Sequence, residues 1–185
     1  MRRRYPKRGV VALAAAVLLM TALIGLLARS PSPAAARLGN QGVVTYVYDG
    51  DTVEVAGVGK VRLLGIDAMD GYNAERTAEQ ARDYGMPQAR VKHWAEEATS
   101  FAREALDGRT VHLEYGPEAR DQYGRVLAYL ALDEGREDFD LLMITKGLAA
   151  AYVVFDHPRL AQYVSAEHEA QAQRAGMWKD ATIRP

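Results

Sequence analysis

Val43-Val44-Thr45-Tyr46-Val47-Tyr48-Asp49-Gly50-Asp51-Thr52-Val53-Glu54-Val55 is the stretch that decides the fold. Its first six residues are β-branched or aromatic and read as a strand. Asp49-Gly50 is a strong hairpin turn, and Thr52 to Val55 is the return strand. Working outward, Ala56-Gly57-Val58-Gly59 is a second turn and Lys60 to Ile66 a third strand, which completes a meander. Ala68 to Met86 is polar and irregular, with Tyr72 and Asn73 interrupting any pattern.

Pro87 suits the first turn of a helix. Val91, Trp94, Ala95, Ala98, Phe101, Ala102, Ala105 and Leu106 then follow helical spacing on one apolar face, and Asp107-Gly108 ends the run. Thr110 to Tyr115 and Val126 to Leu132 read as strands. Phe139 to Lys146 reads as a short helix closed by Gly147, and Ala149 to Phe155 as a short extended stretch. Pro158 to Ala175 is a final helix stopped by Gly176, with Trp178 docking behind it. Five main strands, a helix after the third and helices at the end predict an α+β, mainly β, architecture: a small closed barrel of the five-stranded oligonucleotide-binding type.

The N-terminal residues differ in kind. Arg2, Arg3, Arg4, Lys7 and Arg8 precede an unbroken low-polarity run, residues 9–28, and then Arg29-Ser30-Pro31-Ser32-Pro33-Ala34-Ala35-Ala36. The order fits a secretory signal cut after Ala36. The run is also long enough, at roughly 20 residues, to stay as a membrane anchor with its basic end in the cytoplasm. Either reading divides the chain into residues 1–36 and a domain at 37–185, and puts the domain outside the cytoplasm.

Residues 1–36 carry 6 of the 23 Lys and Arg and no Asp or Glu, which leaves 17 basic against 24 acidic residues, a net of −7. A domain this acidic is not built to coat a polyanion indiscriminately. It can still hold a locally positive cleft, above all with a bound dication. Zero cysteines exclude disulfides and thiolate metal sites. His93, His112, His157 and His168 have no metal-ligand spacing.

Three segments remain that could carry chemistry. Asp51 and Asp67 end predicted strands, where side chains converge on a barrel rim and could offer a hard cation its oxygens. Read singly, they are equally turn and strand-end residues. Arg62 alternates with Val61 and Leu63, so its guanidinium points towards the barrel mouth and needs an anion. Arg125 follows a Tyr-Gly turn. A planar guanidinium matches two phosphate oxygens at once, although each arginine read singly is equally a structural ion-pair or surface residue.

Taken together, Asp49-Gly50-Asp51-Thr52, Arg62-Leu63-Leu64-Gly65-Ile66-Asp67, Asp121-x-Tyr123-Gly124-Arg125 with Ala128-Tyr129, and Gly147-Leu148-Ala149 resemble the thermonuclease family of staphylococcal-nuclease-like domains, from about Val43 to Trp178. The resemblance implies a five-stranded oligonucleotide-binding barrel with about three helices and a calcium-dependent nuclease acting on DNA and RNA. It implies Asp51, Asp67 and the carbonyl of Ala68 as ligands of Ca2+, Arg62 and Arg125 on the scissile phosphate, and Tyr123 in the nucleotide pocket. Tyr152 and Phe155 match the family's base-pocket aromatics loosely.

There are departures. Where the family reads Asp-Thr-Pro-Glu or Asp-Ala-Pro-Glu, this chain reads Asp67-Ala68-Met69-Asp70. The loss of Pro loosens the turn. Asp70 stands for the residue that activates or orders water, one methylene shorter, and Glu75 is the alternative carboxylate. The expectation is therefore a monomeric, exported or anchored, calcium-dependent nuclease of low sequence preference. The rival is a catalytically weak barrel that only binds nucleic acid or a protein.

Overall fold

The structure, a computed structural model, describes residues 39–132 and 136–182. The signal or anchor segment expected at residues 1–36, including the apolar run 9–28, lies outside the described residues. Among the described residues no helix is long and apolar enough to cross a membrane.

The meander is present as β1 (Gln41–Val47), β2 (Thr52–Val55) and β3 (Gly59–Leu63). All pairs are antiparallel, with Val47 opposite Val53 and Thr52 opposite Arg62. Gly50 sits at the first turn because a side chain there would strike the Cβ atoms of Ala68 and Ala98, both at 2.8 Å. The predicted third strand does not run through to Ile66. It breaks at Leu64-Gly65, where Gly65 has φ 74°, and resumes as β4 (Ile66–Ala68). A Cβ on Gly65 would lie 2.6 Å from the His157 ring, so the break is fixed by backbone handedness and by packing together.

The segment expected to be irregular contains helix α1 (Ala74–Asp83). Asn73 caps it by accepting from the Arg76 N–H at 3.0 Å. Its inward face is polar: Thr77 and Gln80 are the buried residues. An apolar-periodicity reading is blind to such a helix. Helix α2 (Gln88–Leu106) does follow the apolar pattern and buries Val91, Trp94, Ala95, Ala98, Ala102 and Leu106 in the common core, packing on both α1 and β1.

β5 (Thr110–Arg120) is longer than predicted, and β6 (Val126–Leu132) matches. β1 pairs with β5, β5 with β6, and β6 returns to pair in parallel with β3, matching Val61–Leu63 to Val126–Ala128. That pairing closes a five-stranded barrel of the oligonucleotide-binding type. Val44, Val53, Val61, Val111, Val126 and Leu130 fill its interior, each with no exposed surface.

A two-residue strand, β7 (Glu137–Asp138), leads into α3 (Phe139–Thr145). The extended stretch after Gly147 stops at Ala151 as β8 (Ala149–Ala151), which pairs antiparallel with β4. α4 (Leu160–Ala172) and a 3-10 turn (Gly176–Lys179) follow, and Trp178 is buried as expected. The described residues thus hold four α-helices around the barrel.

Candidate active site

One open cleft of about 990 Å³ lies on the barrel rim. It is lined by Asp51, Arg62, Asp67, Ala68, Asp70, Tyr123, Arg125, Tyr152 and Phe155, so the candidate site residues from the sequence, apart from the alternative carboxylate Glu75, reach a single site. Glu75 is exposed and does not line it.

The barrel explains the convergence. Asp51 stands at the start of β2, directly before Thr52, which opposes Arg62 on β3. The parallel β3–β6 pairing brings the residue preceding Val126, Arg125, to the same rim. β4 carries Asp67 in from the far side of the Gly65 break.

Arg62 is the hub. Its Nη1 donates to the carbonyl of Leu63 at 2.7 Å and its Nη2 to that of Ile66 at 2.8 Å. The same Nη2 lies 3.2 Å from Asp51 Oδ2 and 3.6 Å from Asp67 Oδ1. With only 14 % of its side chain exposed, the guanidinium cannot be left without anions. Asp51 is itself tied down: Oδ2 accepts from the Ala68 N–H at 2.9 Å and Oδ1 from the Thr52 hydroxyl at 3.0 Å.

Arg125 is set by a tight turn. Gly124 has φ 80°. Asp121 Oδ1 accepts from the N–H groups of Tyr123 and Arg125, both at 2.9 Å, and Oδ2 accepts from Arg125 Nε at 2.7 Å. The charge of Arg125 and these bonds hold the Asp121 carboxyl below its ordinary range against the opposing effect of burial. Tyr123 stands beside the Arg125 guanidinium, 5.6 Å from ring centroid to carbon, and is three-quarters exposed. Tyr152 and Phe155 form an edge-on pair at 5.4 Å on another wall of the cleft.

Three residues that the sequence reading missed complete the site, all from α1. Gln80, 1 % exposed, donates to the carbonyl of Ala68 at 3.1 Å and accepts from the Asp70 N–H at 2.8 Å. Thr77 donates to the carbonyl of Asp70 at 2.7 Å. The Asp67–Asp70 turn, expected to be loose without its proline, is braced by this helix instead. Arg76 contributes an ion pair to Asp67 Oδ2 at 2.5 Å and another to Glu79 at 2.7 Å. The only hint of them in the sequence was Asn73 ahead of a polar run, the mark of a cap.

Asp70 Oδ1 accepts from the N–H groups of Tyr72 and Asn73 at 2.8 and 2.9 Å. The residue therefore shapes the turn as well as facing the cleft.

Seven carboxylates line the cleft against three guanidiniums, from Arg62, Arg76 and Arg125. The consequence is visible in the acids. Burial first, and then the charge of Asp51, raise the Asp67 carboxyl above its ordinary range. The same two causes push Asp49 up to about 7. Among the described residues no group of three or more His, Cys, Asp and Glu side chains forms a metal-holding cluster. The chemistry of the donors nonetheless fits a hard cation. They are all oxygens, and their mutual repulsion is relieved by positive charge.

A closed barrel of the oligonucleotide-binding type, with arginines and carboxylates gathered in one rim cleft, is the class of protein that the fold and the site define. Comparison with known proteins agrees. The staphylococcal nuclease homologue family model matches residues 60–180. The chain is 33 % identical over 146 residues to the thermonuclease of Staphylococcus intermedius, covering 76 % of this chain and 77 % of that protein. It is 29 % identical over 180 residues to the thermonuclease of Staphylococcus hyicus, covering 93 % and 96 %. With the micrococcal nuclease of Shigella flexneri it shares 29 % over 145 residues, 76 % and 74 % of the two chains. The chain belongs to the staphylococcal nuclease homologue family and has the nuclease-like hydrolase fold of the thermonucleases.

Proposed function

We propose that the chain is a calcium-dependent nuclease that hydrolyses phosphodiester bonds of DNA and RNA with little sequence preference. The observation that carries this is the junction at Arg62, where one half-buried guanidinium sits against both Asp51 and Asp67 in the cleft that also takes in Arg125. Binding of a phosphodiester to Arg62 and Arg125 gives its oxygens planar donors, which meet the extra negative charge that builds as phosphorus becomes pentacoordinate. Asp70 faces the same space with a carboxylate that takes a proton from, or orients, the attacking water. Asp51, Asp67 and the Ala68 carbonyl are the calcium ligands of this reading. Calcium takes six to eight oxygens, so these residues would supply only part of its ligands. When bound, the cation supplies positive charge to a non-bridging phosphate oxygen.

The reading extends to the rest of the chain. Residues 9–28 act as an export signal or an anchor, the domain works outside the cytoplasm, and it does so as a monomer. A second reading is favoured by one contact, the Arg76–Asp67 ion pair, which fills a ligand position with a protein cation. In that reading the barrel binds nucleic acid without cutting it.

Digestion of single-stranded DNA and RNA by the full chain, with calcium or with chelator, separates the two. Cleavage should require calcium and should be lost in Asp67→Ala. Cleavage that persists unchanged in chelator sinks the calcium mechanism, and binding without cleavage establishes the second reading.

A further inference from the structure

A second hollow, of about 450 Å³, opens beside the cleft. The two share Asp49 and Arg125, but Tyr152 and Phe155 line only the cleft, while Tyr46, Tyr48, Lys60 and Tyr72 line only the hollow. Its wall is the outer face of the barrel. Tyr46 lies on β1 and Tyr48 directly after its last residue, Val47; both rings are exposed, while Val47 between them is buried. The strand register places Tyr46 opposite Glu54 and Glu54 opposite Lys60, one row across three strands. The Tyr48 hydroxyl donates to Glu54 at 3.1 Å, and Lys60 Nζ lies 3.6 Å from the centre of the Tyr48 ring. Tyr46 packs edge-on against Tyr48 at 4.9 Å. These contacts stiffen Tyr46 and Tyr48 without hiding them, at 55 % and 36 % exposed, and Tyr72, which shares none of them, is 79 % exposed.

Three tyrosine rings and an ammonium around one hollow, two of the rings and the ammonium from the barrel wall and Tyr72 from the loop before α1, are not needed by the barrel, whose core lies on the other side of the strands. We propose that Tyr46, Tyr48 and Tyr72, with Lys60, form a stacking platform for an unpaired base of the substrate strand, on the flank of the scissile phosphate away from Tyr152 and Phe155. The proposal rests on the nuclease reading above.

The chemistry selects the occupant. Exposed rings joined to a cationic groove suit bases that have a free face, and stacking is tolerant of sequence because every base has one. A base inside a duplex has both faces covered, so the platform takes single strands or frayed ends. Arg125 and Lys60 mark the path of the connecting phosphates from the cleft into the hollow. The platform thereby extends the grip on the substrate beyond the reacting phosphate, in a domain whose overall charge repels it.

The test is equilibrium binding of the full chain, in chelator so that nothing is cut, to oligodeoxythymidylates of roughly two to six nucleotides, near the lower site size of such barrels. A fluorescent purine is placed at one end or the other. The expected result is quenching at one end only. Changing Tyr46 and Tyr48 together to Ala should weaken the longer oligonucleotides about 5- to 100-fold and the dinucleotide less than about twofold, the span that loss of stacking of a base predicts. Tyr48→Phe keeps the ring and should bind like the parent, with melting temperature as the check on folding in each case. Equal loss at every length, no loss in the double variant, or a Tyr48→Phe defect as large as the double change would overturn the platform. Adding calcium back to the parent protein tests the other premise separately. Binding with a length-dependent loss but no cleavage would reject the nuclease reading and leave the platform standing.

Discussion

Arg76 holds Asp67 through a contact of 2.5 Å between Nη2 and Oδ2, from a helix whose buried face is polar. The guanidinium therefore stands against a carboxylate assigned to calcium. On the proposed reading, Arg76 and the metal would compete for the same carboxylate. Arg76→Gln should tighten calcium binding by about fivefold, on the order of 1 kcal/mol for a partly exposed ion pair. Titration calorimetry at alkaline pH, with the carboxylates ionised, measures this without reference to activity. Weaker binding in the variant would mean that Arg76 orients Asp67 rather than competing for it.

Arg62 and Arg125 should differ in what a lysine costs them. Either change removes a planar transition-state donor, so kcat should fall about 10²–10³-fold while KM moves little. Arg62→Lys also deprives the Leu63 and Ile66 carbonyls of their donors, which should destabilise the fold by about 1–3 kcal/mol. Arg125 is anchored from Nε to one carboxylate near the surface, so Arg125→Lys should cost about 0–1 kcal/mol. Turnover and urea denaturation of the two variants together decide whether the hub and the rim arginine divide their labour in this way.

Asp70→Asn separates chemistry from shape. An amide oxygen can still accept from Tyr72 and Asn73, so the melting temperature should hold. The loss of a proton-accepting carboxylate should slow cleavage about 10²–10⁴-fold. Gln80→Ala should do the reverse, destabilising the protein by about 1–3 kcal/mol because the buried Asp70 N–H loses its partner. If Asp70→Asn cleaves at the parental rate, the residue is a turn element only.

Asp140 predicts a pH dependence of stability. It is fully buried in the first turn of α3; Oδ2 accepts from the Leu130 N–H, and Oδ1 has no partner among the described residues. Burial first, and then the charge of Asp138, raise its carboxyl well above the ordinary range. Between the ordinary value and the raised one, the folded state binds more protons than the unfolded state. The contribution of Asp140 is therefore full at acid pH, falls as pH rises through that window, and is gone above it. Asp140→Asn should flatten this decline. Chemical denaturation across the acid-to-neutral range measures it, and parallel curves for parent and variant would place the proton elsewhere.

The meander and α2 were legible because one face of each is apolar and the other wet, which is the signal that periodicity detects. α1 was not, because Thr77 and Gln80 face inward through hydrogen bonds and no apolar repeat exists to be read. The Gly65 break was hidden inside Lys60–Ile66 for a related reason. It depends on His157, whose ring stands where a Gly65 side chain would be, and that contact spans most of the domain. Asp51, Arg62, Asp67 and Arg125 could be proposed from the order of three short motifs, but their meeting is a property of barrel closure. Arg76 could not be proposed at all, since an arginine in a polar run is indistinguishable from a solvated surface charge.

The parallel pairing of β3 with β6 has a kinetic consequence. It joins segments more than sixty residues apart, Val61 to Val126, so its loop-closure entropy is paid late. Arg62 lies inside a local hairpin, whereas Arg125 meets it on the rim only through this long-range pairing. A chain still folding has not yet joined its two arginines, so on the proposed mechanism cleavage would report the closed barrel rather than any intermediate on the way to it.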